Sequence, residues 1–320
     1  MILTRKAVPI LGLFMTMVLS WSVAVADTFV VDLTHPIGTF APKGGDIATP
    51  DVSKPLKGSI QVPTFGAPAV YEVLPDFKTN RGHFGLGRFV LMEHHGTHID
   101  APFHYQNNKS SLETKTPDLR TMEELTANDL MGPIVFIDIS GRVQSELDKN
   151  GGKPGSKAVT DFSNSSNNVV TAADIAGVSD QIKDGVWLVV NAGWSRFYKG
   201  SSLQKSQYIN GWNFPGFSAA ACDELIKIEK RKGVRINGLA MDNIGIDSGE
   251  SGAGPKGDLV TDSWHCHVRG LQRGWKFVEN AANLGQLAEA KPGSCHLFVG
   301  ALKLVASTGG PSRIIAMCKS

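Results

Sequence analysis

Two short runs of apolar residues, rich in β-branched side chains, are the clearest signal of secondary structure in the sequence. They are "GPIVFIDIS" at residues 132–140 and "GVWLVVNAG" at residues 185–193. Continuous apolar runs of this length are typical of strands that are buried on both faces. The alternating segment "GRFVLMEHHG" at residues 87–96 predicts a further strand, because successive side chains of a strand point to opposite faces.

Helical spacing of apolar residues is clearest in one segment, residues 218–233. This segment begins with Ser218 as a cap and ends at Gly233. A second helix is predicted to begin at Thr171, because Thr171 and Asp174 have the spacing of a capping box. Further strands are predicted in "TFVVDLTHPIG", in "VRINGLAMDNIGID" before a loop, and in "GWKFVENAANLGQL" before a short helix. Strands and helices therefore mix along the chain, which predicts an α/β or α+β domain built on a mixed β-sheet.

Two stretches between these elements are polar and rich in turn-forming residues. Residues 39–65 are rich in Pro, Gly and Lys and are predicted to be loop. Residues 141–168 consist mainly of Gly, Ser, Asn and Lys, so we expect a surface insertion that buries almost nothing. We therefore predict a single domain over residues 27–320, with a polar surface insertion near residues 141–168.

The first 26 residues have the layout of a secretory signal peptide. Arg5 and Lys6 precede an apolar block, and a stretch of small residues ends at Ala26. We predict cleavage after Ala26 and export to the periplasm or the cell exterior. An uncleaved membrane anchor is the alternative, because the apolar block is about 17 residues long. No later segment is long and apolar enough to cross a bilayer, so no stable membrane span is expected after cleavage.

Charge and cysteine content limit the classes of partner and metal site. The formal net charge is +2, and the basic cluster at residues 227–235 is typical of a solvated helix end, so a nucleic acid partner is not expected. The four cysteines would permit two disulfides in any of three pairings after export. They lack Cys-x-x-Cys spacing, which argues against a cysteine zinc site, and Cys266 is interpreted as a buried structural thiol.

The segment "EHHGTHIDAPFH", residues 93–104, holds four of the nine histidines and an aspartate. In an extended chain His94, His98 and Asp100 point to the same side. The α-carbons of His94 and His98 would then lie roughly 13 Å apart, so a bend is needed, and Gly96 permits one. Two imidazoles and a carboxylate are competent ligands for Zn²⁺ or Mn²⁺. Three protein ligands leave coordination positions open for water and substrate.

His104 follows Pro102, four residues beyond the last of these ligands, and is interpreted as the catalytic acid/base. His95 has the opposite parity and is predicted to bond to a backbone group or to face the core. A non-ligand imidazole beside an open coordination position favours an enzyme over an exported protein that only binds or scavenges metal. A structural metal domain would instead require four closed ligands, preferably including cysteine.

The segment "HHGTHIDAPFH" resembles the His-x-Gly-Thr-His-x-Asp-x-Pro-x-His motif of the cyclase family of metal-dependent hydrolases, which includes bacterial kynurenine formamidase and isatin hydrolase. Other similar segments are "VDLTHPIG", "VVNAGWSRF", "FPGFS", "MDNIGID", "HVRGLQRGWKFVEN" and "KLVASTGGPSRIIAM". They extend the resemblance over most of the chain beyond the first 26 residues. The resemblance implies a swivelling β/β/α-like fold, with a mixed sheet core and flanking helices, and a homo-oligomer.

The resemblance also implies functional roles for individual residues. It assigns a first metal to the three motif ligands named above and makes His104 the catalytic histidine. His267 and Glu279 stand where the formamidases hold a second metal, with the motif aspartate bridging the two ions. Members similar to isatin hydrolase work with one ion, so one ion and two ions both stay open.

The implied chemistry is hydrolysis of a carbonyl–nitrogen bond in a small aromatic or cyclic amide. A divalent metal lowers the pKa of its bound water toward about 7, and an imidazole moves a proton to the leaving nitrogen. A lactone hydrolase or a cyclase using the same site is the alternative among enzymes. Four aromatic residues are candidates for contacting a planar substrate: Trp194, Trp212, Phe214 and Phe217.

Overall fold

The computed structural model describes residues 27–55, 69–73, 86–105, 117–198, 206–249 and 264–319. Its strands are β1 (Thr28–Asp32), β2 (Thr39–Lys43), β3 (Asp46–Pro55), β4 (Ala69–Val73), β5 (Gly87–Val90), β6 (His98–Asp100), β7 (Met131–Asp138), β8 (Val186–Asn191), β9 (Ile236–Met241), β10 (Lys276–Glu279), β11 (His296–Ala301) and β12 (Gly309–Lys319). Its α-helices are α1 (Ser140–Asp148), α2 (Ala172–Gly177), α3 (Ala219–Lys232) and α4 (His265–Leu271). None of the helices in these ranges has the length and apolar character needed to cross a membrane. The predicted signal peptide lies outside the described residues.

Eight strands form one mixed sheet in the order β1-β12-β11-β7-β8-β9-β10-β6. Because β6 also pairs with β12, every strand of this sheet except β1 belongs to a closed barrel. Strands β7 to β10 are parallel to their neighbours in that group, whereas the pairings of β6, β11 and β12 are antiparallel. A smaller sheet has the order β3-β2-β4-β5. The predicted mixed sheet with flanking helices is confirmed, and its closure into a barrel is an addition to that prediction.

Two buried clusters of apolar residues lie on opposite faces of the central strands. On β8, Leu188 and Val190 belong to the cluster that packs beneath the helices. Trp187 and Val189 belong to the second cluster, inside the barrel. Burial on both faces explains why residues 185–193 are continuously apolar.

The two helices predicted from capping residues are both present, and the short helix predicted in "GWKFVENAANLGQL" is a 3-10 helix, Leu284–Glu289. The Thr171 side chain accepts a hydrogen bond from the Asp174 amide and caps α2. Ser218 accepts from the amide of Ala221 at the start of α3, and Gly233 ends that helix with a φ of +64°. The left-handed conformation of Gly233 is the reason that the helix stops there.

The two polar stretches contain more structure than their composition predicts. Strands β2 and β3 occupy part of the predicted loop, whose residues 56–65 lie outside the described residues. The prediction that residues 141–168 bury almost nothing is wrong, because Val143, Leu147 and Phe162 are fully buried. Val143 and Leu147 lie four residues apart on α1 and so share the face that packs on the core.

All four cysteines form disulfides, Cys222–Cys266 and Cys295–Cys318. The first joins α3 to α4, where the two α-carbons lie 5.6 Å apart. The second joins the chain before β11 to the end of β12. Cys266 is buried and structural, as predicted, but it forms a disulfide rather than remaining a thiol, because the packing of α4 against α3 brings Cys222 next to it.

Candidate metal centre and active site

The histidine segment forms a turn followed by a short strand. β5 ends at Val90, and Gly96 has a φ of +67°, in the left-handed region that favours glycine. The predicted bend at Gly96 is therefore confirmed. β6 then presents His98 and Asp100 on one face, while Ile99 between them is buried in the barrel interior.

Asp100 lies at the centre of the site and is fully buried. Its Oδ1 atom is 2.7 Å from His94 Nδ1 and 3.2 Å from His98 Nε2. Its Oδ2 atom is 3.6 Å from His267 Nε2 and has no hydrogen-bond partner among the described residues. Three imidazoles therefore converge on one carboxylate, whose unpartnered buried oxygen is the kind of group that a cation satisfies.

Glu279 joins this group because β10 and β6 are antiparallel and pair Glu279 directly with His98. Glu279 Oε2 is 3.5 Å from His98 Nε2, and Glu279 Oε1 is 3.2 Å from His267 Nε2. The four distances that join the two imidazoles, His98 and His267, to the two carboxylates, Asp100 and Glu279, range from 3.2 to 3.6 Å. Two donors bound to one tetrahedral ion at about 2.0–2.1 Å lie about 3.3 Å apart, so these residues fit a divalent ion.

His94 and His104 lie beside this group, with their ring centroids 3.9 Å apart. His104 belongs to a 3-10 turn, Pro102–Tyr105, that follows β6. The donor atoms of His94, Asp100 and His104 lie within 4.8 Å of one another, as do those of His98, Asp100 and Glu279. Because Asp100 belongs to both sets, the donors suit one ion or two ions bridged by Asp100.

The His94 ring is positioned by strand β12 as well as by Asp100. Gly309 pairs with Asp100, and a β-carbon at Gly309 would lie 2.5 Å from His94 Cε1. A glycine is therefore required there to leave room for the ring. Thr308 Oγ1 lies 3.0 Å from His94 Nε2, and the Thr308 amide donates to the Glu93 carboxylate at 2.9 Å.

Burial and charge shift the pKa values of the motif residues. Burial lowers the pKa of His104 to about 4, and the charge of Asp100 offsets this effect only in part. His104 is therefore neutral near pH 7 and can accept a proton. Burial would raise the pKa of Asp100, but His104 and His94 outweigh it and hold that pKa well below its ordinary value.

The pKa values of the other two imidazoles, His98 and His267, shift in the opposite direction. Burial alone would lower the pKa of His267, but the neighbouring carboxylates of Asp100, Asp247 and Glu279 raise it well above its ordinary value. Burial opposes protonation of His98 too, yet its bond to Asp100 and the charge of Glu279 raise its pKa. A cation that binds these imidazoles must therefore displace protons, which makes its affinity depend on pH.

A cavity of about 260 Å³ opens onto these side chains. One wall consists of predicted site residues: His94, His98, His104, His267 and Glu279. The other wall consists of Met92, Tyr105, Ile244 and Trp264. Apolar and aromatic side chains beside a polar reaction centre suit a small, flat and largely uncharged ligand.

None of the four aromatic residues predicted to contact substrate lines this cavity. Trp194, Phe214 and Phe217 are fully buried in the cluster beneath the helices, where they fill the core. Trp212 is half-buried and packs edge-on against Trp264, with ring centroids 6.0 Å apart. The structure therefore places none of the four predicted rings in the cavity lining, where Trp264 and Tyr105 are found instead.

Several polar residues around the ligands are absent from the sequence-based prediction: Glu93, Asp247, Asn280 and Thr308. His98 Nδ1 donates to the Gly96 carbonyl at 2.9 Å, and the Asn280 amide donates to the same oxygen at 2.9 Å. His98 Nε2 is thereby left facing Asp100 and Glu279. The position of Asp247 in "MDNIGID" was a signal in the sequence, because that segment carries part of the family resemblance.

Comparison with known proteins places the chain among related sequences. A family profile described as "Putative cyclase" matches residues 31–248. Kynurenine formamidase of Bacillus cytotoxicus is 25% identical over 266 residues, which cover 83% of this chain and 95% of that protein. Kynurenine formamidase of Bacillus anthracis is 34% identical over 90 residues, which cover 28% of this chain and 38% of that protein.

Solved structures share the fold. Isatin hydrolase A from Labrenzia aggregata, bound to benzyl benzoate, has a TM-score of 0.61 and 23% identity, with 92% of this chain and 94% of that chain covered. Isatin hydrolase A from Ralstonia solanacearum has a TM-score of 0.60 and 20% identity, with 91% of this chain and 92% of that chain covered. The mixed barrel with flanking helices is therefore an architecture already seen in experimental structures.

Proposed function

The chain belongs to the cyclase family, and on that premise we propose that it is a metal-dependent hydrolase that cleaves the carbonyl–nitrogen bond of an aromatic or cyclic amide. The observation that carries this proposal is the buried Asp100 carboxylate, which is surrounded by imidazoles beside a cavity that apolar side chains also line. The similarity to a kynurenine formamidase over most of both chains supports an amide as the substrate.

The donor set of imidazole nitrogens and carboxylate oxygens suits Zn²⁺ or Mn²⁺. His94, His98 and Asp100 would hold a first ion, because both imidazoles face the same Oδ1 atom of Asp100 at 2.7 and 3.2 Å. His267 and Glu279 would bind a second ion or complete the first. When bound, the ion supplies a nucleophile by lowering the pKa of water toward about 7. The unpartnered Oδ2 of Asp100 supports the presence of a cation at this position.

His104 is the residue that moves the proton. Its ring lies beside His94 at the cavity, with a centroid distance of 6.2 Å to His267. Because burial lowers its pKa to about 4, it is neutral near pH 7 and accepts the proton released on attack at the carbonyl carbon. It then gives the proton to the leaving nitrogen, while Ile244 and Trp264 hold the ring of the substrate and limit water.

Export and self-association complete the proposal. The predicted cleavage after Ala26 would release the mature chain into an oxidising compartment, and the two disulfides support this location. Exposed apolar side chains on the smaller sheet and nearby, including Phe89, Val90, Met92 and Leu304, support a homo-oligomer. N-terminal sequencing of the exported protein and light scattering of the purified protein test these two points.

Metal analysis of the purified protein, combined with assays on N-formylkynurenine and isatin, tests the hydrolase proposal. We expect bound divalent metal, loss of hydrolysis after chelation and recovery on addition of Zn²⁺ or Mn²⁺. Protein that binds metal but hydrolyses no amide would contradict the proposal. Hydrolysis of lactones alone would establish the alternative reaction at the same site.

A further inference from the structure

A carboxylate outside the predicted ligand set, Asp247, contacts His267 directly. Asp247 is fully buried at the end of residues 241–247. Its Oδ2 atom lies 2.5 Å from the ring nitrogen Nδ1 of His267. The same carboxylate accepts the backbone N–H of Cys266 at 2.7 Å and that of His267 at 3.1 Å. Three donors from two consecutive residues therefore meet one buried acceptor.

These contacts determine which nitrogen of His267 can bind a cation. An ionised carboxylate only accepts hydrogen bonds, so the bond to Asp247 places a proton on Nδ1. The other nitrogen, Nε2, then presents its lone pair toward Asp100 Oδ2 at 3.6 Å and Glu279 Oε1 at 3.2 Å. The two backbone bonds also hold the main chain of His267, and the ring cannot turn away without breaking its own bond to Asp247.

His98 is oriented by a weaker version of the same arrangement. Its Nδ1 donates to the neutral carbonyl of Gly96, whereas His267 donates to a buried carboxylate. A charged acceptor gives a stronger hydrogen bond and makes the opposite ring nitrogen a better metal ligand. His267 is therefore the more strongly supported of these two ligands.

We propose that Asp247 is a positioning residue of the metal centre, which selects the tautomer of His267 and holds its Nε2 toward Asp100 and Glu279. This inference rests on the proposed metal-dependent function and extends it to a residue outside the histidine motif. It implies that metal affinity depends on a side chain that never touches the ion.

Asp242 provides a matched control five residues earlier. It is also fully buried, and its carboxylate accepts the backbone N–H groups of Ala192, Trp194 and Ser195 at 2.9, 2.6 and 3.1 Å. None of these donors belongs to a proposed ligand. Asp242→Asn and Asp247→Asn each replace a buried carboxylate in the same segment by an amide. Only Asp247→Asn changes the group that accepts the hydrogen bond of the His267 ring.

The experiment compares metal binding by the wild-type protein and these two variants. Competition with a chromophoric chelator measures the dissociation constant for Zn²⁺. We expect about 10- to 100-fold weaker Zn²⁺ binding in Asp247→Asn and a change below about threefold in Asp242→Asn. The visible absorption spectrum of the Co²⁺-substituted protein should shift only in Asp247→Asn, because the ligand field reports the orientation and basicity of the bound imidazole.

Unchanged Zn²⁺ affinity and an unchanged Co²⁺ spectrum in Asp247→Asn would overturn the inference, as would equal losses in both variants. If Asp247→Asn does not fold, nitrogen NMR of histidine-labelled wild-type protein loaded with Zn²⁺ decides the matter. A proton on Nδ1 of His267 supports the inference, and a proton on Nε2 overturns it. Wild-type protein that binds neither Zn²⁺ nor Co²⁺ would instead contradict the proposed function, so the two failures are distinguishable.

Discussion

The metal centre combines two regions that differ in sequence, exposure and support. The motif segment, residues 93–104, forms a turn and a short strand, and its His94 and His104 are only half-buried. The remote pair, His267 on α4 and Glu279 on β10, is 4% exposed at each residue. The half-buried rings of the motif segment are therefore suited to move protons at the cavity, whereas the buried remote pair, like the buried His98 and Asp100 of the motif, is suited to hold an ion in a defined position.

The two regions are also supported by different means. The motif segment depends on contacts to nearby strands, such as the bond of His98 to Gly96 and the contact of His94 with Thr308. The remote pair depends on Asp247 and on a helix that a disulfide ties to α3.

His98→Ala should have the largest effect, because His98 contacts both Asp100 of the motif segment and Glu279 of the remote pair. We expect metal affinity to fall by more than about 100-fold, since loss of a ligand exceeds loss of a supporting residue. Hydrolysis should fall below detection. Metal analysis and an amide assay on the same preparation measure the two effects, and a variant that keeps its metal would remove His98 from the ligand set.

His104→Ala should separate chemistry from metal binding within the motif segment. We expect the metal to be retained and kcat to fall by about 10²- to 10⁴-fold, the usual contribution of a general acid/base. Metal content and kcat are measured in parallel with His98→Ala. Equal metal loss in the two variants would show that His104 is a ligand together with His94 and Asp100.

The two disulfides should contribute unequally to the free energy of unfolding. Replacing Cys222 and Cys266 by Ala should lower the free energy of unfolding by about 4 kcal/mol, and replacing Cys295 and Cys318 should lower it by about 3 kcal/mol. The first value is larger because the bridge spans 44 residues rather than 23. Urea denaturation measures both values.

The two double cysteine variants should also differ in their affinity for Zn²⁺. Cys266 directly precedes His267, so only loss of the Cys222–Cys266 bridge should weaken Zn²⁺ binding. Equal weakening by both double variants would contradict the view that this bridge supports the remote pair. Chelator competition under non-reducing conditions provides the measurement.

His95 should make the metal-free protein sensitive to acid. It is fully buried, its ring nitrogens have no partner among the described residues, and burial lowers its pKa from 6.5 to about 4. Between these pH values the unfolded chain binds a proton that the folded chain excludes, so stability falls as the pH falls. The loss is on the order of 1–3 kcal/mol.

His95→Phe should remove this contribution. Denaturation of the metal-free variant at several pH values from 7 to 4 should show a shallower loss of stability than the wild type. His296→Gln, at an exposed position on β11, is the control and should keep the wild-type slope. An unchanged slope in His95→Phe would show that other groups cause the acid sensitivity.

The smallest effect is expected at the apolar wall. Trp264→Leu should raise the KM for an aromatic amide by about 2- to 10-fold, because an aromatic contact contributes about 0.5–1.5 kcal/mol. Phe214→Leu lies in the core and should lower the melting temperature while leaving KM unchanged. A KM increase in Phe214→Leu alone would restore the original substrate assignment.

Local patterns sufficed for much of the fold. The capping box at Thr171 and the αL position at Gly233 involve residues close in sequence, and both predicted helices are present. The strand predicted over residues 87–96 is only partly correct, because the chain leaves β5 at Val90 and turns at Gly96. The apolar face of α1 was missed because polar residues dominate the segment around Val143 and Leu147.

The residue types that gather near Gly96 could be predicted without coordinates, because the parity of His98 and Asp100 and the freedom of one glycine are local properties. The folded chain was needed to show that Glu279 pairs with His98, that Asp247 holds His267, and that Trp264 rather than Phe214 faces the cavity. These contacts depend on the closure of the barrel and on the docking of α4. Both result from packing between residues far apart in the chain, which no spacing within a short segment encodes.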